Sequence, residues 1–345
     1  MSDISINNSS LPAYINYLLL PGSYPHPVDA VHLLQTHISF VILAGEYVYK
    51  WKKPVNFGFV DFSSLAKREF YCRRELLLNR RLCPAIYLDT VSLCKEGNSY
   101  KLQGRGPVVE YGVKMARMPE SGMLNRVIAA GGLKEQHLAA IVEILVPFYH
   151  NAEQGDEVRA NGSVAAVTRT ISDNFHQTMA FVGGPALSRD RFTLIKKATD
   201  AFLRQRDLFT KRMETACIRD CHGDLYSNNI CLAENGTIHI FDCLEFNDRL
   251  RAIDICSDVA FLAMDLDYHG LTALSDFFIK LFRERSGDEG LLQLLDFYKC
   301  YRAYVRGKVG VLAAADPTME KKAAEEWLQS GGRYFHLAEE YARRL

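Results

Sequence analysis

The pattern of apolar and polar positions changes character about a third of the way along the 345-residue chain. Up to Pro119 the apolar runs are short and bounded by turn residues, which is how strands read. Leu11–Leu20 reads as a short helix, closed by Pro21-Gly22 and a proline-rich turn through Pro27. Val31–Gln35, Ser39–Ala44 and Tyr47–Lys53 read as strands, joined through Thr36–Ser39 and a tight Gly45-Glu46 turn. Leu65–Leu82 reads as a helix ended by Cys83-Pro84. Tyr87–Leu93, Tyr100–Gln103 and Val108–Ala116 complete the strands, with Gly97-Asn98 and Gly104–Pro107 as turns. Beyond Pro119 the composition becomes helical. Met123–Ala130, Leu133–His150, Ser163–Phe181 and Ser188–Met213 are the predicted helices, and Asp254 opens a strongly apolar one. Leu271–Arg285, Leu291–Ala315 and Thr318–Arg344 follow, and no internal repeat stands out. These elements predict an α+β chain, with a sheet and one helix over 1–118 and a mainly helical part over 119–345.

The densest chemistry lies in Cys221-His-Gly-Asp-Leu-Tyr-Ser-Asn-Asn229 and the following stretch to Asp242. Asn235-Gly236 between two apolar runs is a hairpin signal, because a type I′ turn needs positive φ at both central residues. With those two as the turn, Glu234 pairs with Thr237, Ile230 with Phe241, and Asn229 with Asp242. Two oxygen-bearing side chains then face each other at the open end of the hairpin. Such a small oxygen set suits Mg²⁺ that is also held by phosphate oxygens. Asp224, not needed for the metal, is free to orient a substrate hydroxyl and accept its proton. A loop Asp, an Asn five residues later and an Asp after the next strand form the parts list of phosphoryl transfer by kinases. Upstream, Lys50 and Lys52 share a strand face, since side chains alternate with period two. One ammonium on an inner face is what a phosphate clamp needs.

Charge and cysteines narrow the classes. Lys+Arg and Asp+Glu balance at 41 each, which argues against a general nucleic-acid-binding surface. No run of 18 apolar residues occurs, and the polar Met1–Ser10 has no signal-peptide pattern. A cytoplasmic protein without membrane association is the expectation; the oligomeric state is left open. Nine cysteines are scattered through the predicted elements. Cys217 and Cys221 lack the second pair that a zinc site of this spacing needs, so buried free thiols are expected.

His222-Gly-Asp224, Asn229 and Asp242 together resemble the aminoglycoside phosphotransferase branch of the protein-kinase-like fold, whose members phosphorylate small molecules. Thr36-His-Ile-Ser-Phe-Val, Tyr47-Val-Tyr-Lys-Trp-Lys-Lys-Pro, Glu75-Leu-Leu-Leu-Asn-Arg-Arg-Leu and Phe241-Asp-Cys-Leu-Glu-Phe-Asn-Asp-Arg-Leu-Arg resemble a bacterial group of such proteins. Many of that group carry a P-loop ATP-binding domain after the kinase-like one. No G-x-x-x-x-G-K-[ST] occurs in these residues. The resemblance runs from about Leu11 to about Leu345 and implies two lobes, an antiparallel N-lobe sheet with one helix and a mainly helical C-lobe. It implies ATP and Mg²⁺ as cofactors and a small polar alcohol (sugar, amino sugar or aminoglycoside-like) as acceptor.

Residue by residue, the resemblance implies that Lys50 clamps phosphates, with Lys52 as runner-up, and that Glu75 orients it, with Glu69 as the alternative. Ser39 would bond a phosphate oxygen, and the backbone of Met115-Ala-Arg117-Met118 would hold the adenine. Asn229 and Asp242 would hold the metal, Asp224 would deprotonate the acceptor, and His222 would shape the loop. Asp254 is either a helix N-terminal carboxylate or the buried acid that bonds the catalytic loop. Glu245, Asn247 and Asp248 are candidate polar contacts to the acceptor. A nucleotide-binding pseudokinase or regulatory module is the alternative function.

Overall fold

The structure is a computed structural model, which describes residues 11–58, 60–317 and 319–345. Met1–Ser10, where no signal-peptide pattern was read, and Thr318 lie outside the described residues. In chain order the first elements are α1 (Ala13–Leu18), β1 (Val31–Gln35), β2 (Ser39–Ala44), β3 (Tyr47–Lys52), α2 (Leu65–Asn79), β4 (Tyr87–Glu96), β5 (Ser99–Leu102) and β6 (Val108–Ala116). Then come α3 (Leu124–Ala129), α4 (Glu135–Asn151), α5 (Asp156–Ala160), α6 (Val164–Thr178), α7 (Arg189–Phe202), α8 (Arg206–Glu214), β7 (Ile218–Asp220), β8 (Ile230–Leu232) and β9 (Ile238–Ile240). The chain closes with β10 (Ala252–Asp254), α9 (Ile255–Tyr268), α10 (Thr272–Ser286), α11 (Leu291–Ala314) and α12 (Lys321–Ala342).

Two compact units divide these elements. The first comprises Met1–Met123 and Cys231–Asn247, and the second Leu124–Ile230 and Asp248–Leu345. The segment carrying Asp242 therefore groups with the sheet, across the division expected after residue 118.

In the first unit the six strands run β1-β2-β3-β6-β4-β5, each pair antiparallel. β3 is interior, with Val41 and Val113 flanking Lys50 on the neighbouring strands. The period of two sends Tyr49 and Trp51 to one face, where they bury with Phe40, Ile42 and Val91. It sends Lys50 and Lys52 to the other face, which α2 covers. That helix starts where Ser64 Oγ accepts the Lys67 N–H, relieving one of the unpaired amides of a helix N-terminus. Cys72 from α2 packs with Ile86, Tyr87, Val113 and Met115.

The hairpin β8–β9 differs from its sequence reading. The Ala233 N–H donates to Thr237 O at 2.8 Å, and the Gly236 N–H to Ala233 O at 2.9 Å. Gly236 has φ +81, whereas Asn235 is not among the positive-φ residues. A three-residue loop with glycine at the left-handed position closes the hairpin, not a type I′ pair. The closing pair is Ala233–Thr237 instead of Glu234–Thr237, so the register that matched Asn229 with Asp242 fails by one residue.

The second unit is helical around α9, in which every residue from Cys256 to Leu266 is buried. The single helix expected over Ser188–Met213 is instead α7 and α8. Phe202 and Phe209 both pack on Phe297, at ring distances of 4.7 and 5.5 Å, and lie 6.2 Å apart. Seven residues of continuous helix would separate them by roughly 10 Å along the axis, so the break lets both rings reach one partner. All nine cysteines are free, and only Cys217 is less than fully buried. Among the described residues no helix is long and apolar enough to cross a membrane.

Candidate active site

The first unit gathers two lysines and three carboxylates. Glu75, on α2 and fully buried, takes a different lysine on each oxygen: Lys50 Nζ lies 2.8 Å from Oε1 and Lys52 Nζ 2.7 Å from Oε2. Lys50 also reaches Asp242 Oδ1 at 2.5 Å, and Lys52 bonds Glu245 Oε1. Burial opposes the charge on Lys50, but Asp242 and Glu75 outweigh it and hold the ammonium well above the usual lysine range. Burial would raise the Glu75 carboxyl; Lys50 and Lys52 reverse this and bring it down to about 2. Glu245 moves the other way, pushed up by burial and by Glu75 against the pull of Lys52.

Exposure separates the two lysines. The Lys50 side chain is 14% exposed and its partner Asp242 34%, whereas Lys52 is 1% exposed. Lys50 is therefore the more accessible of the two, and Lys52 is enclosed over the Phe62 ring at 4.7 Å. Glu69, the alternative to Glu75, instead pairs along its own helix with Arg73 at 2.9 Å. Glu245 was expected to contact the acceptor; buried against Lys52, it does not fit that role. Asp248 accepts from Arg251 at 2.7 Å, while Asn247 is half-buried.

Asp242 has φ +61, a left-handed conformation that costs a non-glycine residue about 1–2 kcal/mol. Neighbours in the same unit hold it there. The Tyr87 hydroxyl accepts the Asp242 N–H at 3.2 Å, and Asn79 Oδ1 accepts the Cys243 N–H at 2.8 Å. Asn79 is itself fixed by donating Nδ2 to Glu75 O at 2.9 Å.

Two further expectations fall on this unit. Ser39 opens β2 opposite Lys52; its Oγ is buried and takes no hydrogen bond among the described residues. Met115 is buried in β6, between Val48 and Tyr87. The Ala116 and Arg117 amides donate to Ile86 O and Glu46 O, at 2.8 and 2.9 Å. Arg117 thus uses its amide within the fold.

The second unit carries the loop His222–Asn229. Asp258, fully buried on α9, accepts the His222 N–H at 2.8 Å, the Gly223 N–H at 2.9 Å and the Tyr149 hydroxyl at 2.9 Å. Asp265, two turns on, accepts the Ser227 N–H at 3.0 Å. Arg302 donates to Gly223 O and Ser257 O, both at 3.0 Å. Gly223 has φ +87, a backbone state open to glycine. The chain turns there so that the Asp224 N–H donates to His222 Nδ1 at 3.2 Å. His222, completely buried, shapes the loop. Asn229 Nδ2 donates to Asp224 O and to Asp224 Oδ2, each at 2.9 Å.

Asp254 takes the first of its two sequence readings. It caps α9, accepting the Cys256 N–H at 2.8 Å, and pairs with Arg212 at 2.7 Å. The acid that bonds the loop is Asp258, one turn further. Sequence reasoning missed Asp258 and Asp265, although acids inside an otherwise apolar helix were the available signal. Tyr149 and Arg302 carried none.

Each unit, taken by itself, presents an oxygen donor of the kind a hard cation takes. Asn229 turns its nitrogen to Asp224, which leaves the amide oxygen as its ligand atom, and Asp242 offers a part-exposed carboxylate. Among the described residues no group of three or more His, Cys, Asp or Glu could hold a metal.

No family model matches the chain. It is 35% identical over 320 residues to uncharacterized proteins of Mycobacterium tuberculosis and Mycobacterium bovis, covering 88% of this chain. It spans 61% of the length of those relatives. Among solved structures, the GDP and kanamycin complex of the phosphotransferase APH(2")-IIia is similar at TM-score 0.57 and 15% identity, over 96% of this chain and 99% of that one. Plasmodium vivax ethanolamine kinase matches at TM-score 0.52 and 11% identity, over 89% and 81%. A choline/ethanolamine kinase family protein from Mesorhizobium loti matches at 0.51 and 12%, over 96% and 98%. With that likeness running nearly end to end, the chain has the α+β, protein-kinase-like fold of the aminoglycoside phosphotransferases and choline/ethanolamine kinases.

Proposed function

We propose that this chain is an ATP- and Mg²⁺-dependent phosphotransferase acting on a hydroxyl of a small polar metabolite. The observation that carries the reading is Lys50, part-exposed and held between Glu75 and Asp242 at 2.8 and 2.5 Å. Lys50 binds phosphate oxygens and Glu75 holds it in place. In the Met115–Met118 stretch the Met118 amide is the adenine donor, since Ala116 and Arg117 donate elsewhere. Following the resemblance, Asp242 and Asn229 are the residues proposed to offer Mg²⁺ an oxygen ligand each; the ion would neutralise charge on the transferring phosphoryl group. Asp224 orients the acceptor hydroxyl and takes its proton. Phosphoryl transfer asks chiefly for positioning and charge neutralisation, which this set supplies.

Arg306 lies against the loop that carries the proposed base. Its guanidinium lies over Tyr226 at 4.8 Å and Tyr334 at 5.6 Å. Asp224 and Asp265 are among the charges acting on it, and its Nε has no hydrogen-bond partner among the described residues.

The test is γ-labelled ATP with Mg²⁺ against neutral sugars, sugar acids, amino sugars, choline-like alcohols and aminoglycosides, read by product mass. A phosphorylated small alcohol is expected. Labelling of proteins alone would refute the small-molecule assignment. Nucleotide binding without turnover on any acceptor would favour a pseudokinase module.

A further inference from the structure

A kinase-like phosphate clamp needs one lysine and one glutamate. Here Glu75 holds two lysines, and the second, Lys52, continues to Glu245, three residues beyond Asp242. Lys52 and Glu245 are 1% and 5% exposed at their side chains, so solvent does little to support either charge. Burying both is unfavourable, and apolar residues of similar volume commonly serve stability as well or better. Lys50 is already on Glu75, shared with Asp242. The enclosed second pair therefore calls for a reason other than stability.

Its position supplies one. Asp242 stands in a left-handed conformation, with its N–H taken by Tyr87 and the next N–H by Asn79. Both contacts act at or just after Asp242. Glu245 is the anchor at the far end of the same segment, and through Lys52 it ties that end to β3 and to Glu75 on α2. Resting on the phosphotransferase reading above, we propose that Lys52 and Glu245 are positioning residues that fix the strained Asp242, and with it the metal-binding carboxylate. Lys52 also keeps Glu75 paired when Lys50 turns its ammonium to a phosphate oxygen. The pair separates two tasks that one lysine cannot perform together.

The test compares wild type with the apolar double variant K52M/E245L, with E245Q and with K52R. Glutamine still accepts the Lys52 hydrogen bond, whereas arginine keeps the charge and changes the geometry. Two readouts are used: the gain in ATP affinity on adding Mg²⁺, by titration calorimetry, and amide exchange at Asp242 and Cys243 without nucleotide. The double variant is expected to melt near wild type, to lose about tenfold of the Mg²⁺-dependent gain, and to exchange those amides about tenfold faster. E245Q is expected to stay within about threefold of wild type and K52R to follow the double variant. Wild-type values for the double variant in both readouts would overturn the proposal. Should the double variant fail to fold, identical behaviour of K52R and wild type would do the same. Should wild type show no Mg²⁺-dependent ATP binding, the phosphotransferase reading fails, and the exchange rates still decide whether this pair holds Asp242.

Discussion

Asp258 offers the most direct check on how the loop His222–Asn229 is held. It is fully buried and accepts three hydrogen bonds at 2.8–2.9 Å, two of them from successive loop amides. Asn in its place keeps one oxygen and presents an NH₂ where the other stood. At least one amide then faces a donor, and the remaining bonds lose the carboxylate charge. Bonds to a charged group contribute about 1.5–3 kcal/mol each, so D258N should cost about 3 kcal/mol. If that falls on local opening, the His222 and Gly223 amides exchange roughly a hundredfold faster, at 1.36 kcal/mol per decade. Asp254 is the control, because it caps the same helix and pairs with Arg212 without touching the loop. D254N should leave the exchange of these two amides, measured relative to the α9 core, within about threefold of wild type. Hydrogen exchange read by NMR or by mass on short peptides gives both numbers. Equal protection of the two loop amides in D258N and D254N would refute the assignment.

The remaining predictions concern the charges. Lys50→Ala should raise the ATP KM and depress turnover strongly, measured by steady-state kinetics, whereas Lys52→Ala should also lower the melting temperature because it strips a fully buried cluster. Asp224→Asn should abolish most turnover while Mg·ATP still binds near normally, and Asp242→Asn should weaken the metal dependence of binding; calorimetry with and without Mg²⁺ separates them. The depressed Glu75 contributes stability that is present above its ordinary 4.5 and is lost as pH falls toward about 2. The stability gap between wild type and E75Q in denaturant titrations should therefore shrink between about pH 4.5 and 2.

The elements of the first unit were largely legible because its strands are short, bounded by Gly and Pro, and carry their period plainly. Val31–Gln35, Ser39–Ala44 and Val108–Ala116 form as read. The hairpin register was not legible. Asn-Gly serves both a two-residue turn and a three-residue loop, and only the φ values of Asn235 and Gly236 distinguish them. Period two placed Lys50 and Lys52 on one face but could not say which is enclosed, since that depends on Glu245, 193 residues from Lys52. Asp258 was within reach, because an acid in the run Val259–Leu262 extends from must be paired to be buried. Its partners Tyr149, 109 residues from it, and Arg302, 79 residues from Gly223, become visible only when the chain is folded.

Both units solve the same physical problem in the same way. Asp242 and Asp224 are half-buried, and each lies in or beside backbone of positive φ, at Asp242 itself and at Gly223. Neither segment would hold that shape alone. Each is fixed by polar side chains on a neighbouring helix: Glu75 and Asn79 of α2 for 242–245, Asp258 and Asp265 of α9 for 222–227. The anchors are almost wholly buried, so their hydrogen bonds are little diluted by water, and they sit on helices, which move less than loops. This arrangement assigns rigidity to one set of residues and chemistry to another. On the proposed phosphotransferase reading, substitutions at the anchors should therefore lower turnover through geometry, while leaving the proposed proton acceptor and the proposed metal-binding carboxylate unchanged.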